Sequence, residues 1–198
     1  MTLTCHEVYV FAHDGTRRWF HRGPCSGGGG KTAQLYQGRI YSRDPVLGGL
    51  ILDRDTGAEI GTFESLTPVA FDSDTMFTMA GAQNLCGSGG PYGTCTLRAI
   101  DLATGQLRWE FLGDGLLLTA PIVSNGVVYT GSWKGNLYGL DIATGQPVWH
   151  TNLHDNIPQG DEGSPSGPLT GLGTAQGYLI VPLFAQYRDI RLWAFSST

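Results

Sequence analysis

The sequence predicts an all-β repeat protein built from four-stranded antiparallel units, and three observations lead there. The first is a recurrence. Leu97-Arg-Ala-Ile-Asp101-Leu-Ala-Thr104-Gly105-Gln-Leu-Arg-Trp109 returns 40 residues later as Leu137-Tyr-Gly-Leu-Asp141-Ile-Ala-Thr144-Gly145-Gln-Pro-Val-Trp149. A fixed period of roughly 20–50 residues marks a repeat architecture, in which one unit cannot bury its apolar face alone. The second is the shape of each copy: alternating apolar residues flank a Thr-Gly pair, which reads as strand, tight turn, strand. The third is composition. Among 198 residues, 30 are glycine and 15% are charged, which suits many short strands joined by tight turns, while 41% hydrophobic content supplies a core.

Within each copy the aspartate, Asp101 or Asp141, is placed to accept hydrogen bonds from the backbone N–H groups of the turn. Trp109 and Trp149 follow Gly105 and Gly145 by four residues each time. There an indole buries a large apolar area against the next unit while its N–H finds a partner, so both read as pegs between units. The string Ala99-x-Asp101-x-x-Thr104-Gly105-x-x-x-Trp109 resembles the tryptophan-docking repeat of the pyrroloquinoline-quinone (PQQ)-type β-propellers. That resemblance implies a β-propeller of four-stranded blades. The family includes quinoprotein alcohol dehydrogenases as well as non-catalytic propellers, such as the outer-membrane assembly lipoprotein and secreted actinobacterial repeat proteins. It therefore implies a fold far more sharply than a chemistry.

In chain order, Glu7 through Trp19 forms a shortened copy with Asp14-Gly15 as its turn and Trp19 as its peg. Residues 23–32 are rich in glycine and end in Lys31-Thr32. They fail as a phosphate-binding loop on spacing, and on context, because a strand follows where a helix should begin. The second unit turns at Gln37-Gly38 and again at Thr56-Gly57, but Gly61 stands where tryptophan is expected and Phe63 is the nearest aromatic. This unit is expected to dock less firmly. The third carries an insertion, since Gly38 to Gly57 and Gly126 to Gly145 both span 19 residues whereas Asp74 to Gly105 spans 31. The surplus falls in residues 82–95 and is bracketed by Cys86 and Cys95. The fourth unit is the best formed, with Asn125-Gly126 and Trp149. The fifth, after a long polar connection, stops one strand short, which leaves Trp193 as a strand residue and not a peg. The approximate units are 1–21, 22–67, 68–112, 113–152 and 153–198, in one domain. Family propellers have seven or eight blades, or roughly 280–350 residues at about 40 each. The four to five units here are therefore expected to be completed by the rest of a longer chain or by dimerisation.

The net charge of −5 argues against a sequence-independent phosphate-binding surface, so no nucleic-acid partner is expected. No apolar run has the length of a membrane-spanning helix, and the first residues lack the basic and apolar regions of a signal peptide. Four cysteines allow three pairings. Cys86 with Cys95 is the sharpest, worth roughly 2–3 kcal/mol for so small a ring. Cys5 with Cys25 is the second, and free thiols in a reducing compartment are the alternative. Persistent disulfides would place the protein outside the cell or in its envelope.

No metal or cofactor site is expected. Cys5, His6, His21 and Cys25 form a nominal zinc set without a local CxxC-type pair. Asp155, Asp161 and Glu162 share a loop without EF-hand spacing. His150 and His154 read as surface residues, and Ser26, Ser88 and Ser164 lack a nucleophile-elbow motif. PQQ and calcium enter only if the chain is a fragment of a PQQ-dependent dehydrogenase. Such an enzyme is expected to carry a catalytic aspartate, calcium ligands, a stacking tryptophan and often adjacent cysteines; no adjacent pair occurs here. The favoured reading is a non-catalytic scaffold that binds a protein or a small ligand.

Strand order also predicts where binding occurs. In a four-stranded meander the first-to-second and third-to-fourth turns share one face, and all other connections share the opposite face. The first class is uniformly tight. The second holds every long loop, so it is the candidate binding face, with Arg43, Asp44, Tyr92, Trp133, Lys134, Tyr187 and Arg188 as its expected contacts.

Overall fold

A computed structural model describes residues 7–23, 33–44, 48–81, 94–155, 157, 171–183 and 191–196, with backbone only for Asp44 and Leu183. All regular structure among them is β. Seventeen strands form five antiparallel sheets. The first pairs β1 (Glu7–Phe11) with β2 (Arg17–Arg22). The second contains β3 (Gln34–Tyr36), β4 (Arg39–Asp44), β5 (Gly48–Asp53) and β6 (Glu59–Phe63), and the third β7 (Ala70–Asp72), β8 (Thr75–Ala80), β9 (Thr96–Asp101) and β10 (Leu107–Phe111). The fourth contains β11 (Ile122–Ser124), β12 (Val127–Gly131), β13 (Asn136–Asp141) and β14 (Pro147–Asn152). The fifth has three strands, β15 (Gly173–Ala175), β16 (Tyr178–Leu183) and β17 (Arg191–Ser196). Each sheet is a meander in chain order. The predicted all-β propeller architecture is the one observed, and Trp193 lies within β17.

Two kinds of turn close every complete sheet on one side. The short hairpins of the second, fourth and fifth sheets use two consecutive left-handed residues, Gln37 (φ 45°) with Gly38 (φ 74°), Asn125 (51°) with Gly126 (76°), and Gln176 (49°) with Gly177 (81°), whereas in the third sheet Ser73 (50°) is left-handed and Asp74 is not. The doubled left-handed geometry matches the right-handed twist of the flanking strands. In the longer turns one carboxylate oxygen organises the backbone: Asp101 Oδ1 accepts from Ala103 N (2.9 Å), Thr104 N (2.8 Å) and Thr104 Oγ1 (2.9 Å). Asp53 and Asp141 repeat the arrangement. These charge-assisted bonds hold the carboxyls of Asp53 and Asp141 below the ordinary aspartate range, with the threonine contacts as the main cause.

Buried side chains gather between sheets. Val8 packs with Ile40 and Leu52, joining the first two sheets, and Tyr41 and Phe63 pack with Val69 and Met76, joining the second and third. Phe77, Met79 and Leu97 meet Leu117, Val128 and Leu140 between the third and fourth, while Leu118, Leu137 and Ile157 meet Leu179 and Val181 between the fourth and fifth. Each such side chain contributes about 1.5–3 kcal/mol when fully buried. Among the described residues every buried cluster draws on two neighbouring sheets, which is why the repeat works only as a stack.

A bulge recurs in the last strand of four sheets. Register shifts beside Arg18, Ile60, Arg108 and Val148 leave each of these as an extra, exposed residue. The next position, 19, 61, 109 or 149, then faces Val10, Ile51, Ala99 or Gly139. A bulge re-aims the side chain that follows it, and three of these four positions hold tryptophan.

Candidate functional site

The two faces of the sheets differ in construction. On the tight-turn face, backbone bonds lock each pair of turns: Arg54 N to Gly38 O (3.1 Å), Leu102 N to Asp74 O (2.8 Å) and Ile142 N to Gly126 O (3.2 Å). Arg108 adds a clamp in the third sheet, donating to Asp74 Oδ1 (2.8 Å) and Oδ2 (2.7 Å), to Asp101 Oδ2 (2.5 Å) and to Thr75 Oγ1 (2.7 Å). The guanidinium, followed by the turn's N–H groups, holds the Asp101 carboxyl far below the ordinary carboxylate range.

The opposite face presents the best-described part of the candidate surface, the turn from Ser132 to Gly135 between β12 and β13. Two connections strap it in place. From one side, Asp114 accepts from Ser132 Oγ (2.7 Å), Asn136 Nδ2 (2.7 Å) and Leu116 N (3.1 Å), while Trp133 N donates to Leu116 O (3.0 Å). From the other, Ile157 N donates to Trp133 O (3.2 Å), Leu153 N to Gly135 O (3.0 Å) and Asn152 Nδ2 to Lys134 O (3.2 Å). Gly135 has φ 79°, and a Cβ there would collide with the Asp155 carbonyl, so this position requires glycine. Trp133 is half-buried against the core between the fourth and fifth sheets, and the Lys134 side chain is exposed. A flat ring beside a cation is thus held on a rigid turn. Nearby, His150 stacks on Tyr138 at 4.8 Å. Burial first, and the Asp114 carboxylate second, push the Tyr138 hydroxyl up from its ordinary value.

A model of the family described as "Outer membrane protein assembly factor BamB" matches residues 47–175. The chain belongs to this PQQ-like repeat family. Curated relatives of this BamB-like chain include BamB of Salmonella typhimurium, 42% identical over 65 residues, covering 31% of this chain and 16% of the relative. Quinohemoprotein alcohol dehydrogenase of Comamonas testosteroni is 36% identical over 70 residues, covering 30% and 10%, and polyvinylalcohol dehydrogenase of a Sphingopyxis species is 29% identical over 128 residues, covering 57% and 19%. The alignments therefore span less than a fifth of these relatives' lengths. Among solved structures, BamB from Moraxella catarrhalis aligns over 99% of this chain and 54% of its own, with a TM-score of 0.63 at 17% identity. The computationally designed Ika4 protein aligns over 83% and 90%, with a TM-score of 0.56 at 16% identity. At such identities the likeness concerns the fold.

Of the residues expected on the binding face of this BamB-like propeller, Trp133 and Lys134 sit side by side on the strapped turn. Arg43 does not present itself to solvent. It is 8% exposed, and its Nε donates to Ser65 O at 3.0 Å, so the guanidinium stem fills the junction of the second and third sheets. Asp44 ends β4, paired with Gly48. Tyr92, Tyr187 and Arg188 lie outside the described residues, as do Cys86, Cys5, His6 and Cys25 of the nominal zinc set, and Asp161 and Glu162. Cys95 is fully buried and is not a free thiol. Among the described residues no three His, Cys, Asp or Glu side chains converge as a metal site would require, and no helix is long and apolar enough to cross a membrane.

Two indoles reach from one sheet to the next. Trp19 Nε1 donates to Arg54 O (2.8 Å) with its ring over Gly57, and Trp109 Nε1 donates to Ile142 O (3.0 Å) with its ring over Gly145. Trp149 meets Phe195 of the fifth sheet edge-on, 5.5 Å between centroids. The sequence did not single out Asp114, the acceptor that organises the Trp133–Lys134 turn. It lies in Gly113-Asp114-Gly115, and that short acidic turn between two units was the available signal.

Proposed function

We propose that the chain is a non-catalytic propeller scaffold that binds a partner protein or small ligand through the face carrying its long connections, in the cell envelope or outside the cell. The observation behind this is an asymmetry among the described residues: the paired tight turns of the second, third and fourth sheets are bonded to each other, whereas the strapped Trp133–Lys134 turn stands at the opposite end of its strands. Loops on a rigid scaffold are where binding residues concentrate, and aromatic and cationic side chains supply much of the energy at interfaces. The kinship with outer-membrane assembly factors supports an envelope setting, and a disulfide between Cys86 and Cys95, which we propose, would fit it. A pull-down with the wild-type chain as bait tests this reading. Trp133→Ala and Lys134→Ala should lose the partner while Gln37→Ala and Gln146→Ala retain it. Equal loss from both pairs, or loss only from the second, would overturn the face assignment.

The two dehydrogenases among the relatives support one second reading, a fragment of a PQQ-dependent oxidoreductase. Titration with PQQ and calcium separates the two: a stoichiometric, saturable quinone absorbance belongs to the enzyme, and an unchanged spectrum to the scaffold.

A further inference from the structure

The three longer turns of the complete sheets are chemically equivalent, yet only two are covered. Gly57, Gly105 and Gly145 have φ of 74°, 70° and 71° and sit in the same aspartate-organised loop. A Cβ built on Gly57 would lie 2.7 Å from the Trp19 ring, and one on Gly145 2.6 Å from the Trp109 ring. On Gly105 it would meet nothing within 4 Å. Accordingly Gly145 is buried, Gly57 is half-buried and Gly105 is exposed.

The cause is a single position. Sheet two ought to supply the ring, from the residue after its bulge, but that residue is Gly61. Phe63 does not substitute. It turns inward over Gly49 and packs edge-on against Tyr41 at 5.7 Å. What remains is a cleft of about 940 Å³ between the second and third sheets, within the range of small-molecule sites. Its apolar floor includes Ile51 and Ile100, and Asp101, Leu102 and Gly105 close one end. The carbonyl that accepts an indole N–H in the two filled seats belongs to the third residue before the glycine, Arg54 or Ile142. Its counterpart is Leu102, whose carbonyl receives no hydrogen bond among the described residues. Glycine face, apolar wall and acceptor are therefore all in place without the ring.

We propose that this cleft is a binding site for a tryptophan side chain carried by a partner polypeptide, which would lay its indole over Gly105 and donate Nε1–H to the Leu102 carbonyl. The chemistry is read from the two occupied copies of the same seat. A polypeptide is favoured over a free heterocycle because the cleft continues beyond the seat along Thr62, Glu64, Ser65 and Thr78, a polar channel suited to the main chain that carries the ring. This site is separate from the long-loop face and stands or falls independently of it.

The test is titration of the full chain with acetyl-Gly-Gly-Trp-Gly-Gly-amide, followed by the amide resonances of Thr104 and Gly105. Saturable shifts confined to this turn are expected, and the phenylalanine analogue should bind about fivefold more weakly for want of one neutral hydrogen bond. The double variant Ile51→Ala/Gly61→Trp recreates the Ala99–Trp109 pair and should fill the seat internally and abolish binding. Gly105→Ala, which keeps the turn but puts a methyl where the ring must lie, should abolish it too. Lys134→Ala should leave it unchanged. Absence of saturable shifts in the wild type, or shifts that survive both blocking changes, would overturn the proposal. Free indole binding as tightly as the peptide would overturn the assignment to a polypeptide.

Discussion

Replacing Gly145 and Gly105 separately by alanine isolates what one docked indole is worth. The two turns share φ within a degree and the same carboxylate hydrogen bonds, so the backbone cost of placing an L-residue in the left-handed region is common to both, about 1–2 kcal/mol. At Gly105 the new methyl enters open space and that cost is the whole effect. At Gly145 the methyl lies 2.6 Å from Trp109 Cδ2, closer than carbon atoms approach, so the ring must leave. Its departure forfeits the bond to Ile142 O, worth about 1 kcal/mol, and the burial of the indole against the core formed by Phe77, Leu117 and Leu140. Removing a tryptophan from such a site altogether costs about 3–5 kcal/mol, which bounds the effect from above. Urea unfolding followed by far-ultraviolet circular dichroism should therefore place Gly145→Ala about 2–4 kcal/mol below Gly105→Ala. Equal destabilisation by the two changes would refute the reasoning, because it would mean that the ring over Gly145 contributes nothing.

The carboxyls of Asp53, Asp101 and Asp141 are held below their ordinary value in the folded chain, so their stabilising contribution is complete above about pH 4 and is lost as pH falls through the depressed folded values. The urea midpoint should be level from neutrality down to about pH 5 and fall below about pH 4. Asp101→Asn should make that fall shallower, and a midpoint rising with acid would contradict the account. Asp114→Ala leaves Ser132 Oγ, Asn136 Nδ2 and Leu116 N without their acceptor, at a cost of about 1–3 kcal/mol. Faster hydrogen exchange at the Trp133 and Leu116 amides should report it, and unchanged exchange there would deny Asp114 its bracing role. A non-reduced digest analysed by mass spectrometry should yield a peptide linking Cys86 to Cys95; both thiols freely alkylated in protein exported to an oxidising compartment would remove that pairing.

Much of the fold was legible because its determinants are local and repeated. The Asp-x-x-Thr-Gly turns and the Gln-Gly and Asn-Gly hairpins need only neighbouring residues, and the missing tryptophan at Gly61 was visible as a break in the period. The bulges were not legible: Arg18, Ile60, Arg108 and Val148 share no residue type, and the extra residue emerges only from pairing with the preceding strand. Arg43 is expected as a surface contact because arginine side chains are frequent interface hot spots. Its partner, Ser65, belongs to the connection that follows β6, and no local pattern links residues 22 apart. The bare Gly105 lay between these cases. Gly61 foretold a weaker junction, but whether the gap closes depends on Ile51, whose larger side chain faces Gly61 where Ala99 and Gly139 face tryptophans. Ile51 narrows the gap and leaves the glycine uncovered.

The central proposal is that the scaffold's partner docks on the long-loop face, apart from the indole seat at Gly105, while the cross-bonded tight turns opposite hold the sheets together. Site-specific photo-cross-linking addresses it most directly, with a benzophenone side chain placed at Lys134 on the long-loop face and, in a second protein, at Gln146 on the tight-turn face of the same sheet. Irradiation in the producing cell should give a discrete, reproducible adduct from position 134 and none from position 146. A discrete adduct from 146 with none from 134 would contradict the assignment.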